Sequence, residues 1–123
     1  MNKVRPLRKD EADLISAMIR NTPCANEILR SLSTRLVEDM SDGAMGSVRF
    51  TAPDNGVRRF GRTVAEAEFT DDDGIVVNTA VNLDDCGDLF ELDIWKTDFS
   101  SLKKYPRPEN IRLKPPADAA RSV

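Results

Sequence analysis

From Arg35 to Lys96 the chain is a series of short runs in which apolar and polar residues tend to alternate, separated by turn clusters, and that period confines the middle of the chain to strands. The cleanest runs are Thr63 to Thr70, Ile75 to Leu83 and Leu89 to Lys96. Asp71-Asp72-Asp73-Gly74 and Asp84-Asp85-Cys86-Gly87-Asp88 separate them and read as hairpin turns. Two shorter runs come first, Leu36 to Met40 and Met45 to Thr51, joined across Ser41-Asp42-Gly43. Pro53-Asp54-Asn55-Gly56 is a further turn cluster, and Val57 to Arg62 reads as a loop or an irregular strand start. Upstream of Arg35 the period is helical. Leu14, Ile15, Met18 and Ile19 form one stripe of a helix over about residues 8–20, with Asp10, Glu11 and Asp13 in its first turns. Thr22 reads as the N-cap, and Pro23 as the first residue, of a second helix that ends near Leu32. Arg5-Pro6-Leu7 is an extended lead-in.

The expected fold is therefore α+β. Two short N-terminal helices pack on one face of a five-stranded antiparallel meander, and the other face is open to water. Four of the seven prolines follow Tyr105. Residues 103–123 accordingly read as an extended Pro-rich arm, disordered at least over Ala117 to Val123, behind a single domain of residues 1–102.

Composition removes several chemistries. The 123 residues contain no His, which excludes Ser-His and Cys-His mechanisms and the commonest metal ligand. Cys24 and Cys86 are far apart, with no CxxC, so neither a zinc set nor a disulfide framework is expected. The two turn clusters lack the following Glu of a calcium loop, and no P-loop lysine follows Gly43-Ala44-Met45-Gly46-Ser47. No catalytic residue, metal or cofactor is assigned. No apolar run approaches the roughly 18 residues of a membrane span, and no apolar stretch follows the basic start as in a signal peptide. The expected location is the cytoplasm, without membrane contact.

The formal charge of −3 conceals a partition. Residues 1–35 carry +3, residues 36–98 carry −10 and residues 99–123 carry +4. An acidic middle repels phosphates, so nucleic acid is not an expected partner, whereas a basic protein is. The basic ends also suit folding back onto the middle. Arg58, Arg59 and Arg62 read as salt-bridge partners of the acidic sheet before they read as an anion site.

Strand parity places the acids. Ala65, Ala67 and Phe69, the odd residues from Ile75 to Leu83, and Phe90, Leu92 and Ile94 should face the helices. Glu66, Glu68, Asn78, Asn82, Glu91, Asp93 and Trp95 then share the opposite face. Such a face is in the first place the wet side of a half-buried sheet. Four acids of one sign with a tryptophan also suit docking, since like charges on neighbouring strands are otherwise unfavourable. The leading functional reading is a non-enzymatic module that presents this face to a basic protein partner, an immunity-type inhibitor of a basic toxin being one version. The alternative is a small carboxylate- or metal-dependent enzyme using the same cluster. If the meander ends at Leu89 to Lys96, that strand is an exposed edge, and a homodimer is expected to cover it.

Three segments together resemble a known family: Arg5-Pro6-Leu7 with Leu14-Ile15; Glu38-Asp39-Met40-Ser41-Asp42-Gly43-Ala44-Met45-Gly46-Ser47; and Leu89-Phe90-Glu91-Leu92-Asp93-Ile94-Trp95-Lys96-Thr97-Asp98-Phe99-Ser100. The set is similar to a domain of unknown function found in short uncharacterised bacterial proteins. It spans about residues 5–102, with Ala44 standing where the pattern favours Gly. The resemblance implies a bacterial cytoplasmic protein and carries no established activity.

Overall fold

The fold is described from a computed structural model covering residues 3–41, 45–51 and 57–114. The turn residues Asp42-Gly43 and Pro53-Asp54-Asn55-Gly56, Ala44 and the end of the arm from Pro115 lie outside the described residues.

The elements run β1 (Val4–Pro6), α1 (Lys9–Ile19), α2 (Ala25–Ser31), β2 (Leu36–Asp39), β3 (Val48–Phe50), β4 (Phe60–Thr70), β5 (Val76–Asp84), β6 (Leu89–Lys96) and β7 (Arg112–Lys114). Short 3-10 turns follow α2, at Leu32–Thr34, and precede β7, at Pro108–Asn110. The class is α+β as expected, but the sheet has seven strands rather than five, in the order β1-β2-β3-β6-β5-β4-β7. Every neighbouring pair is antiparallel.

Three departures from the sequence reading share one cause, since period fixes strands but not their neighbours. First, β4, β5 and β6 form a meander, yet β3 pairs with β6 and not with β4. Leu89 to Lys96 is thus an interior strand. Val48, Leu92 and Val81 lie abreast at 0% exposure, so β6 packs best with apolar neighbours on both sides. Second, the Arg5-Pro6 lead-in is an edge strand on β2, where Pro6 leaves no ladder bond unmade. Third, part of the Pro-rich arm forms β7 on the outer edge of β4.

The helices cover one face. Leu14, Ile15, Met18, Ile19, Ala25, Ile28 and Leu32 meet Val37, Phe50, Ala67, Phe69, Val77, Val81 and Ile94 in a single core. Phe50 and Phe69, each 1% exposed, are its largest members, and each such side chain contributes about 1.5–3 kcal/mol. Thr22 does not cap α2. Its hydroxyl donates to the Ile19 carbonyl at 2.7 Å and closes the end of α1, while Cys24 occupies the N-cap position of α2 without a side-chain bond.

Parity assigns Phe90 to the helix side, and the ladder places it elsewhere. The ladder slips between Asn82 and Leu83, so Leu89 opposes Leu83 and Glu91 opposes Asn82, with Phe90 extra. Phe90 is buried outside the core cluster, with the Arg49 and Arg58 guanidinium carbons 5.3 and 5.1 Å from its ring centroid.

Candidate functional site

Directly opposed residues of an antiparallel sheet share a face, so the register assembles the helix-free face in rows. One row runs Arg49, Glu91, Asn82, Thr63 across β3, β6, β5 and β4. The next runs Asp93, Ala80, Glu66, Lys114 across β6, β5, β4 and β7, and the third Trp95, Asn78, Glu68, Arg112. All seven residues singled out by parity therefore stand on one surface. The reading missed the cations at the ends of the rows, because it did not foresee that β3 pairs with β6 or that the arm adds β7 beside β4.

Hydrogen bonding divides the surface into a floor and a rim. Asn82 is 3% exposed; its carboxamide donates to Asp93 at 3.0 Å and to Glu91 at 3.4 Å, and its oxygen accepts from Thr63 at 2.8 Å. Glu91 is also buried, and its other oxygen accepts from Arg49 at 2.6 Å. Glu66, Glu68, Asn78 and Asp93 are half-buried. Arg112 meets Glu68 at 3.1 Å, and the Lys114 ammonium donates to the Asn78 carbonyl at 3.0 Å. Trp95 is 37% exposed at the end of its row, the largest apolar surface there.

Other charged groups are structural. Arg58 donates to Asp84 at 2.9 Å and to the Phe50 and Leu89 carbonyls, tying the β5–β6 turn to β3. Burial would raise the Asp84 carboxyl, but the amides of Asp88 and Cys86 and the Arg58 guanidinium hold it below the usual carboxylate range. Asp84, Asp85 and Cys86 are the one set among the described residues close enough to share a metal ion, and they lie at the end of β5 and in the turn that follows it. Cys24 and Cys86 form no disulfide with each other. A cleft of about 490 Å3 beside α2 is lined by Cys24, Glu27, Arg30, Arg35, Asp88 and others. There Arg35 grips Asp88 through two bonds of 3.0 and 3.1 Å.

Two buried ionic groups went unread. Glu11, at 0% exposure, accepts from both terminal nitrogens of Arg5 at 2.9 and 2.7 Å and from the Arg8 amide at 2.8 Å. Arg5 also grips Asp39, so one guanidinium joins β1, α1 and β2. Lys96, also at 0%, meets Asp71 at 2.9 Å and Asp73 at 2.5 Å. Its signal was available: by parity with Leu92 and Ile94 it belongs to the apolar side, where a lysine requires carboxylate partners. The quoted motif segments meet here. The Ser47 hydroxyl exchanges bonds with the backbone of Ile94 at 3.0 and 2.8 Å, and the Tyr105 hydroxyl donates to the Gly46 carbonyl at 2.8 Å.

Fold and surface together define a small α+β domain with one helix-covered and one open, polar sheet face. A family model described as "Domain of unknown function (DUF6984)" matches residues 4–106, and the chain belongs to that family. Neither the curated proteins nor the solved structures contain a match to it. No helix among the described residues is long and apolar enough to cross a membrane.

Proposed function

We propose that the domain is a non-enzymatic protein-binding module that receives a basic partner on its helix-free sheet face. Trp95 carries this reading: it is 37% exposed on that face, in one row with Asn78 and Glu68. Tryptophan is among the residues most enriched at interface hot spots, because one large side chain buries much apolar area while its N–H keeps a polar contact. Asn82 and Glu91 form the floor that orients Asp93, while Glu66, Glu68 and Asp93 supply charge at the rim. An immunity-type complex with a basic toxin is one form such binding takes. Two cysteines far apart in the chain and not joined to each other suit a reducing compartment, and we propose the cytoplasm as the location. The second reading, a carboxylate- or metal-dependent enzyme, has less support, because Glu91 is already occupied by Arg49 and Asn82.

The test immobilises the full chain and measures capture of basic proteins at low and physiological salt. Capture that falls with salt and is lost in both Glu66→Lys and Trp95→Ala is expected. Capture unchanged in both variants overturns the reading. Heat on titration with Mg2+, Mn2+ or Ca2+ would favour the enzyme instead.

A further inference from the structure

The strand β7 is a short addition at a place where the sheet offers much more edge. It pairs only Arg112, Leu113 and Lys114 with Glu68, Ala67 and Glu66, although β4 runs from Phe60 to Thr70. Among the described residues no other strand lies on that edge. It also falls outside the part of the chain that matches the family, which ends at residue 106.

Its sequence is cation, apolar, cation, and each position has a counterpart. Arg112 and Lys114 point to the acidic face, where Arg112 meets Glu68 at 3.1 Å and Lys114 donates to Asn78 at 3.0 Å. Leu113 lies opposite Ala67 on the other side, beside Ala17, Pro108 and Ile111, and stays 53% exposed. The Arg112 and Glu68 side chains are 53% and 30% exposed, so their ion pair is screened by water and holds weakly. A three-residue strand fastened this way leaves an edge that a longer strand captures by making more ladder bonds.

We propose that the outer edge of β4 is a strand-addition site for an extended basic segment of a protein partner, one with Lys or Arg at alternate positions and an apolar residue between them. The chain's own Arg112-Leu113-Lys114 occupies that site in cis and competes with the partner. The identity of the partner rests on the acidic face being the docking surface; the exchange at the edge is a separate property. Glu66 and Glu68 supply the charge complement, and the β4 backbone supplies the bonds.

The experiment keeps the full chain and substitutes Arg112→Glu and Lys114→Glu together, setting like charges against Glu68 and Glu66. The probe is a synthetic peptide of residues 108–116. Native-state hydrogen exchange reports the amides of residues 65–69, and anisotropy of the labelled peptide reports binding. The double variant should lose protection on the outer edge of β4 and bind the peptide at least about tenfold more tightly than the wild type, because the competing state is removed. A peptide with Glu at both cationic positions should not bind. Equal binding to both proteins, binding to neither, or unchanged protection in the variant overturns the proposal. So does a wild-type dimer that the double variant abolishes, which would assign the edge to the arm of a second copy. Failure here leaves capture through Trp95 and the acidic face untouched. Failure of Trp95→Ala to alter capture leaves the strand exchange standing.

Discussion

Glu11 anchors the guanidinium that joins three elements. It is fully buried, and its partners are the Arg5 and Arg8 guanidinium groups and the Arg8 amide. Removing one member of a buried pair leaves the other uncompensated, at about 3–5 kcal/mol. Glu11→Ala should therefore cost that much in urea unfolding, and Glu11→Gln, which keeps the shape and can still accept from Arg8, should cost less. A cost under about 1 kcal/mol for Glu11→Ala, the level of a surface ion pair, would mean that Asp39 alone satisfies Arg5. Trp95 is the contrasting residue. It stands on the polar face at 37% exposure, whereas Phe69 is 1% exposed among core side chains. Phe69→Ala should cost about 3–5 kcal/mol, the range for a buried aromatic cut to Ala, while Trp95→Ala should shift the melting temperature by a few degrees only. Equal losses in calorimetry would place Trp95 in a packed environment. Its side of the sheet was legible because β6 alternates without interruption from Glu91 to Lys96. Phe90 was not, because the ladder slip beside it depends on the facing strand.

At the scale of elements, the arm is latched to the sheet by charge. Asp71, in the β4–β5 turn, accepts from the amides of Lys103 and Lys104 at 2.8 and 3.1 Å, and Lys96 meets it from β6. Burial would raise the Asp71 carboxyl, but the Lys103 amide and the Lys96 ammonium outweigh it and hold it below the usual range. The bond from Lys96 does the same to Asp73. Burial pulls Lys96 down, yet its bonds to Asp73 and Asp71 leave it above an ordinary lysine. The signs then set the window. A depressed carboxyl gives stability that is present above its unfolded pKa and lost as pH falls through the folded one. A raised lysine gives stability that is present below its unfolded pKa and lost as pH climbs through the folded one. The latch should hold from about pH 4 to beyond about pH 10.4, the ordinary values of the two groups. Protection of the Lys103 and Lys104 amides, corrected for intrinsic exchange, should fall below that window. Asp71→Asn should lower it at neutral pH; full protection in that variant would show that the arm is held elsewhere. The start of β4 carries another constraint. A Cβ on Gly61 would come within 2.2 Å of the Asp84 carbonyl oxygen, where the ladder is irregular between Phe60 and Arg62. Gly61→Ala must displace backbone, and about 1–3 kcal/mol of destabilisation is expected in thermal unfolding. The glycine was visible in the sequence as an irregularity, but its cause lies across the sheet in Asp84.

At the scale of the molecule, the charge partition of the sequence reappears as geometry. The acidic middle forms β2 to β6, and the basic ends return to it. Arg5 reaches Asp39, Arg35 reaches Asp88 and Arg112 reaches Glu68. Strand existence and facing were legible because they follow a local period. The order of the strands was not, because joining them in sequence is right only about two-thirds of the time, and nothing local in Val48-Arg49-Phe50 specifies β6 as its neighbour. That single difference undoes the edge argument for a homodimer, since Leu89 to Lys96 lies between β3 and β5. The outermost strands are β1 and β7, of three residues each. One contains Pro6, which cannot donate, and the other carries Arg112 and Lys114, whose charges repel a second copy of the same strand. Short, charged and proline-containing edges are poor templates for pairing. Light scattering at micromolar concentration should accordingly give the mass of one chain, 13.7 kDa, at both low and physiological salt. A doubled mass that persists in the Arg112→Glu, Lys114→Glu variant would locate a self-association surface away from β7, and a doubled mass lost on Trp95→Ala would locate it on the polar face.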